Sequence, residues 1–123
     1  MLAALVGAWS GTVLGPSGLV HINLGDLLTY LKAHRDRPTG FLTEASWRTL
    51  QTPPFGGYSA LGWGVDTACS LGHVGSNGLW WTQAFIDRPA GMAFAGVQNA
   101  VTPEAESVVR QPQGAAKLSR NPG

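Results

Sequence analysis

The sequence is poor in charged residues. Of its 123 residues, 12% are Asp, Glu, Lys or Arg, where about 25% is usual for a soluble domain. So few charges indicate that part of the surface is normally covered, by a partner, by a second copy or by a further portion of the same fold. We therefore expect a homo-oligomer or a complementing chain. The net charge of +1 gives no clustered basic face, so we expect no nucleic-acid partner.

Cysteine is nearly absent. Because Cys69 is the only one, the chain cannot form an internal disulfide or a metal site with paired thiols. His21 and His73 have no carboxylates at a spacing that would complete a metal site. We therefore predict no metal and no cofactor.

Long hydrophobic runs are also missing. Residues 1–15 are apolar, but they are too short to span a bilayer and lack the positively charged start of a secretion signal. This segment is more typical of a strand or an irregular lead-in. We expect no membrane partner and, by default, a cytoplasmic location.

Two segments have the pattern of amphipathic helices. The first begins after the capping residue Asn23 and ends near His34. Its apolar stripe consists of Leu24, Leu27, Leu28 and Leu31. The second runs over residues 44–50 after the cap Thr43, with Trp47 and Leu50 on one face, and stops before two prolines.

The remainder of the sequence favours strands. Period-2 patterns and turn signals predict strands over residues 58–65, 71–76, 80–87 and 92–98, with a hairpin turn at 88–91. Thr102-Pro103-Glu104 is typical of a helix start. The fold class is therefore α+β, with N-terminal helices, an antiparallel meander and a short C-terminal helix. We predict one domain over residues 1–110 and a flexible tail over 111–123.

Six short motifs follow one another in a defined order. They are Gly15-Pro16-Ser17-Gly18-Leu19-Val20 with Asn23-Leu24-Gly25-Asp26-Leu27, Phe41-Leu42-Thr43, Tyr58-Ser59-Ala60-Leu61-Gly62-Trp63-Gly64-Val65, His73-Val74-Gly75-Ser76-Asn77-Gly78, Ile86-Asp87-Arg88-Pro89-Ala90-Gly91-Met92-Ala93 and Val97-Gln98-Asn99. As a set, they resemble the C-terminal part of the serine β-lactamase-like family: class C β-lactamases, D-Ala-D-Ala carboxypeptidases and related esterases. The resemblance covers residues 15–100 and implies part of the β-lactamase/transpeptidase-like fold.

The resemblance implies one wall of an active site. His73-Val74-Gly75 looks like the third motif of the family, His/Lys-Thr/Ser-Gly. In that comparison the Ser76 backbone N–H is an oxyanion donor, His73 orients the substrate, and Gly75 lets the substrate lie against the strand. The residues implied to contact substrate are Asn77, Trp63 and Trp80. Judged by residue type alone, a histidine on an apolar strand is more often structural, and tryptophans on strands are more often core or interface.

The sequence also departs from the family. No serine has a lysine three residues later, and neither Tyr30 nor Tyr58 starts a Tyr-x-Asn motif. Val74 stands where the family has a hydroxyl residue. We therefore expect a truncated homologue, such as a fragment, that is catalytically inactive alone. Its third motif would then be vestigial.

Two other hypotheses remain. One is a small ligand-binding or assembly module that uses the strand and tryptophan surface for a small molecule, a peptide or a partner chain. The other is a genuine small serine hydrolase of the peptidase or esterase type, with a nucleophile built from Ser10, Ser17 or Ser76.

Overall fold

A computed structural model describes residues 20–66, 69–100, 102–104 and 107. Within these residues, two helices precede a four-stranded sheet. The helices are α1 (Leu24–Asp36) and α2 (Glu44–Gln51); the strands are β1 (Gly64–Val65), β2 (Leu71–Ser76), β3 (Trp81–Asp87) and β4 (Met92–Gln98). All neighbouring strands are antiparallel, in the order β1-β2-β3-β4. The predicted α+β class is confirmed.

Helix α1 begins and ends at well-defined caps. The Asn23 side chain accepts a hydrogen bond from the Asp26 backbone N–H at 2.9 Å, as the sequence predicts. Arg37 ends the helix in a left-handed conformation with φ of 49°, and its N–H donates to the Ala33 carbonyl oxygen at 2.8 Å. The helix therefore extends two residues beyond the predicted end near His34.

Helix α2 also matches its prediction closely. The Thr43 hydroxyl accepts from the Ser46 N–H at 3.1 Å, which supplies the expected N-cap. The helix buries Trp47 and its last residue, Gln51, whereas Leu50 is only partly buried. The buried amide of Gln51 connects the two helices through hydrogen bonds to His34 and Arg37.

Three of the four predicted strands are confirmed. Strands β2 and β4 have the predicted bounds, and β3 begins one residue later than predicted, at Trp81. The turn at residues 88–91 joins β3 to β4. Its Gly91 N–H donates to the Arg88 carbonyl oxygen at 2.9 Å, and the Asp87 carboxylate accepts from the Ala90 N–H at 3.1 Å.

The predicted strand over residues 58–65 is wrong in its first part. Residues 60–63 form a tight turn in which Ala60 and Trp63 exchange two backbone hydrogen bonds, of 2.9 and 3.3 Å. Gly62 permits this turn because its φ is 82°, which a glycine adopts without steric cost. The segment folds back on itself, and only Gly64–Val65 is strand. Alternate residues of 58–65 therefore do not share one face.

The core lies between α1 and one face of the sheet. Two buried residues of this inner face, Leu71 on β2 and Ile86 on β3, are paired. They pack with Leu31 of α1 and with Ala60 and Trp63 of the turn. The first helix therefore packs on one face of the sheet.

Some predictions fall partly or wholly outside the described residues. These are the lead-in at 1–15, the first motif up to residue 19, the candidate nucleophiles Ser10 and Ser17, most of the C-terminal helix and the tail at 111–123. Pro103, Glu104 and Ser107 are helical, in agreement with the predicted helix start. Among the described residues, no helix is long enough and apolar enough to cross a bilayer.

Candidate functional site

His73 lies on the inner face of the sheet, just past the core. Side chains alternate between faces along a strand, so positions 71, 73 and 75 of β2 share the inner face. Cross-strand pairing divides this face into three rows: Leu71–Ile86–Ala93, His73–Ala84–Ala95 and Gly75–Thr82–Val97. Ile86 is fully buried, whereas Val97 is 45% exposed. The third row, together with His73, is therefore a shelf that α1 does not cover. The shelf consists of His73, Gly75, Thr82 and Val97.

The tautomer of His73 is fixed by the turn before β1. Its Nδ1 lies 2.8 Å from the Gly62 carbonyl oxygen. Since a carbonyl oxygen can only accept, Nδ1 carries the hydrogen, and in the neutral ring Nε2 holds the lone pair. The side chain is exposed. The Nε2 lone pair of this exposed side chain can accept a hydrogen bond from a bound molecule.

Gly75 leaves space beside this nitrogen. A Cβ atom placed on Gly75 would lie 3.7 Å from His73 Nε2, so a larger side chain would crowd the ring. Thr82 is directly opposite Gly75 on β3. Its hydroxyl group is a polar member of the shelf that sequence reasoning missed. The register of the β2–β3 hairpin was the signal that could have identified it.

One edge of β2 is open along the candidate motif. Strand β1 pairs only with Leu71 and Gly72, and no other described strand lies on that side of residues 73–76. Alternate backbone N–H and C=O groups of these residues therefore face outward, without a ladder partner among the residues that the structure describes. Such an edge is a template for an added strand.

Ser76 and Asn77 shape the β2–β3 turn. The Ser76 hydroxyl accepts from the Gly78 N–H at 3.1 Å, and Asn77 Oδ1 accepts from the N–H groups of Leu79 and Trp80 at 3.0 and 2.9 Å. Ser76 also points to the face opposite His73, because the two residues are three apart on one strand. His73 therefore cannot activate the Ser76 hydroxyl as a nucleophile.

The two candidate tryptophans have different environments. Trp63 is only 7% exposed, and its ring lies 6.4 Å from the His73 ring between centroids. It forms a wall behind His73 and offers no open platform. Trp80 is about half-exposed and lies beside the β2–β3 turn. The structure thus brings together His73, Gly75 and Trp63, and places Ser76, Asn77 and Trp80 at the adjoining turn.

Across the described part of the chain, no three His, Cys, Asp or Glu side chains converge to hold a metal ion. No family model, curated protein or solved structure gives a significant match to the chain. Any assignment of function therefore relies on its own residues and geometry.

Proposed function

We propose that the shelf is the third-motif wall of a serine β-lactamase-like active site, and that this chain supplies substrate contacts and no nucleophile. One observation carries the proposal. His73, an exposed side chain with a fixed tautomer, lies beside Gly75 on a strand edge that no described strand covers, where α1 stops covering the sheet. A nucleophile-bearing segment could approach the substrate from this uncovered side.

In this role, the backbone of residues 73–76 would receive an extended substrate as an added strand. An outward N–H of this edge would stabilise the negative charge that develops on the reacting carbonyl oxygen. Thr82 offers a hydroxyl on the shelf, whereas Val74, at the family's hydroxyl position, points to the opposite face. The serine that attacks and the base that activates it have no Ser-x-x-Lys counterpart in the 123 residues.

Catalysis and binding are tested separately. We expect no turnover of a chromogenic cephalosporin or a nitrophenyl ester above background. An acyl-D-Ala-D-Ala peptide at millimolar concentration should nevertheless shift the backbone amide signals of Gly75 and Ser76. His73→Ala should weaken this binding several-fold, whereas His21→Ala, at an exposed position before α1, should leave it unchanged. Turnover that depends on His73, or no shift in the wild type, would contradict the proposal.

The exposed apolar side chains favour a second candidate, an assembly module. Phe55 is 98% exposed, and Phe41 and Tyr58 are each 72% exposed. Edge pairing between two copies would give a homodimer, the commonest closed assembly.

Light scattering at high micromolar concentration tests this alternative. We expect a dimer that Val74→Lys converts to a monomer, because a lysine on an edge strand opposes strand pairing. Thr39→Lys, on the exposed loop between the helices, is the matched control and should remain dimeric. A monomeric wild type would exclude the assembly module.

A further inference from the structure

A buried histidine lies behind the shelf. His34 of α1 is only 3% exposed, and three aromatic rings surround it. Its ring centroid is 4.6 Å from that of Tyr30, 5.2 Å from that of Trp47 and 5.1 Å from that of Trp63. The first two rings come from α1 and α2, and the third comes from the turn at residues 60–63.

The hydrogen bonds around His34 fix its protonation state. The Arg37 guanidinium, which can only donate, contacts Gln51 Oε1 from Nε at 2.9 Å and from Nη2 at 2.6 Å. The amide nitrogen of Gln51 therefore faces His34, where it donates to the backbone oxygen at 2.8 Å and meets Nδ1 at 3.1 Å. Since this amide nitrogen is a donor, Nδ1 must be the acceptor. His34 is thus neutral, with its hydrogen on Nε2.

A proton on His34 would oppose this arrangement in three ways. It would place a donor against the Gln51 donor, a charge in an aromatic pocket and a cation near Arg37. Burial, and secondarily the Arg37 charge, hold the pKa of His34 below its usual value. The titratable Tyr30 contacts the His34 ring directly. Charged groups near this pocket include Glu44, 3.0 Å from Arg37, and Arg88 of the β3–β4 turn, which donates to the Arg35 carbonyl oxygen at 3.2 Å.

Trp63 connects this buried site to the shelf. Its ring lies 5.1 Å from the His34 ring and 6.4 Å from the His73 ring between centroids. The residue before it, Gly62, supplies the carbonyl oxygen that fixes His73 Nδ1. A displacement of Trp63 therefore moves both the wall behind His73 and the acceptor that sets its tautomer.

We propose that Trp63 couples His34 to His73, so that a proton on His34 displaces the turn at residues 60–63 and releases the His73 ring from its fixed orientation. The coupling itself depends only on these contacts; its significance as regulation of substrate binding rests on the proposed function of the shelf. Mild acid would then disable the shelf, through a group that no substrate touches.

Imidazole nitrogen NMR of the full chain, from about pH 8 to about pH 5, tests the coupling without substrate. In the wild type, the His73 nitrogens should report the Nδ1–H tautomer at high pH, and this signal should change at the midpoint of His34. His34→Phe keeps a ring in the pocket but cannot titrate, so this change should disappear. Since coupling is reciprocal, His73→Ala should move the His34 midpoint to higher pH, because the fixed His73 ring favours the neutral form of His34.

Three results would overturn the proposal. The first is a pH profile of the His73 nitrogen signals that is identical in the wild type and in His34→Phe. The second is a His34 titration that leaves the Trp63 indole N–H and the Gly62 amide signals unmoved in the wild type, a measurement that does not depend on any variant folding. The third is global unfolding in step with His34 protonation, because the effect would then not be local. Failure of substrate binding alone would leave all three readouts intact and would count only against the proposed function.

Discussion

Gly62 has a left-handed backbone conformation, which is unfavourable for any residue with a side chain. Its carbonyl oxygen accepts the hydrogen bond from His73 Nδ1. Its φ is 82°, yet a Cβ atom added there would meet nothing within 4 Å. Any cost of a substitution therefore comes from the backbone and not from a collision. Gly40 is a matched comparison, since it is equally uncrowded and its φ is not in the left-handed range.

Gly62→Ala should lower the free energy of unfolding by about 1 to 2 kcal/mol, because the left-handed conformation is unfavourable for an L-residue. Gly40→Ala should leave it unchanged or raise it by up to about 1 kcal/mol, through reduced entropy of the unfolded chain. Urea denaturation measures both. Equal losses in the two variants would show that the conformation at position 62 carries no special cost. A loss of the Nδ1–H tautomer at His73 in Gly62→Ala alone would confirm that this carbonyl sets the ring.

At the scale of elements, the stability and position of α2 depend on its N-cap, Thr43, and on the hydrogen bonds of the Gln51 side chain. The Thr43 hydroxyl satisfies the Ser46 N–H, which would otherwise be an unpaired donor of the first turn. The helix carries Trp47 and Gln51 to the His34 pocket.

Thr43→Ala should therefore destabilise the protein by about 1 kcal/mol. Thr43→Ser retains the hydroxyl and should cost much less. The melting temperatures of the two variants distinguish the effect of losing the capping hydroxyl from the effect of losing the methyl group. If both variants melted at the same temperature below the wild type, the cap would not be the cause.

The leucines of the apolar stripe of α1 are buried to very different extents, although the sequence pattern treats them alike. Leu31 is completely buried, whereas Leu24 on the same stripe is half-exposed. Leu31→Ala should reduce the free energy of unfolding by about 2 to 5 kcal/mol, because it leaves a cavity under the sheet. Leu24→Ala should cost about 0.5 kcal/mol or less. Denaturant titration of both variants measures the contrast, and similar losses would contradict the burial of Leu31.

The elements were largely predictable because their signals are local. The caps Asn23 and Thr43 and the turn signals between β2, β3 and β4 are properties of short segments. The strand predicted over residues 58–65 is wrong in its first part, because the alternating pattern treats Gly62 as an ordinary strand position. A single permitted positive φ there lets residues 60–63 close a turn, and the turn takes precedence over the pattern.

At the scale of the whole molecule, the burial of His34 makes stability depend on pH. The pKa of this imidazole is lowered in the folded state by burial and, to a lesser extent, by Arg37, while in the unfolded chain it returns to about 6.5. Below that pH the unfolded chain binds the proton more readily than the folded one. The stability linked to His34 is therefore fully present above about pH 6.5 and declines as the pH falls toward the lowered folded-state pKa.

The free energy of unfolding should therefore decrease between about pH 7.5 and about pH 5. The decrease should be smaller in His34→Phe, which has no titrating group in the pocket. His21→Ala removes an exposed histidine and should retain the wild-type slope. Urea titrations at several pH values measure the three slopes. Parallel slopes for the wild type and His34→Phe would rule out His34 as the source.

Part of the candidate site was predictable from the sequence, and part of it became visible only in the tertiary structure. His73, Gly75 and Ser76 were identified from a linear motif, and the structure brings His73 and Gly75 together on one face. Asn77 and Trp80 adjoin them at a turn, and Trp63 proves to be a buried wall. Thr82 was missed, because it joins the shelf only through the pairing of β2 with β3.

The sequence by itself determined the α+β class, the capped helices and most strand bounds, since each depends on residues within a few positions of one another. The tertiary structure decided which face of β2 meets α1, which tautomer His73 adopts and that His34 is buried beside Trp63. These properties depend on contacts between residues distant along the chain: position 34 with 51 and 63, and position 73 with 62. No local pattern specifies such contacts, because they exist only once the elements have packed and the register of the sheet is set.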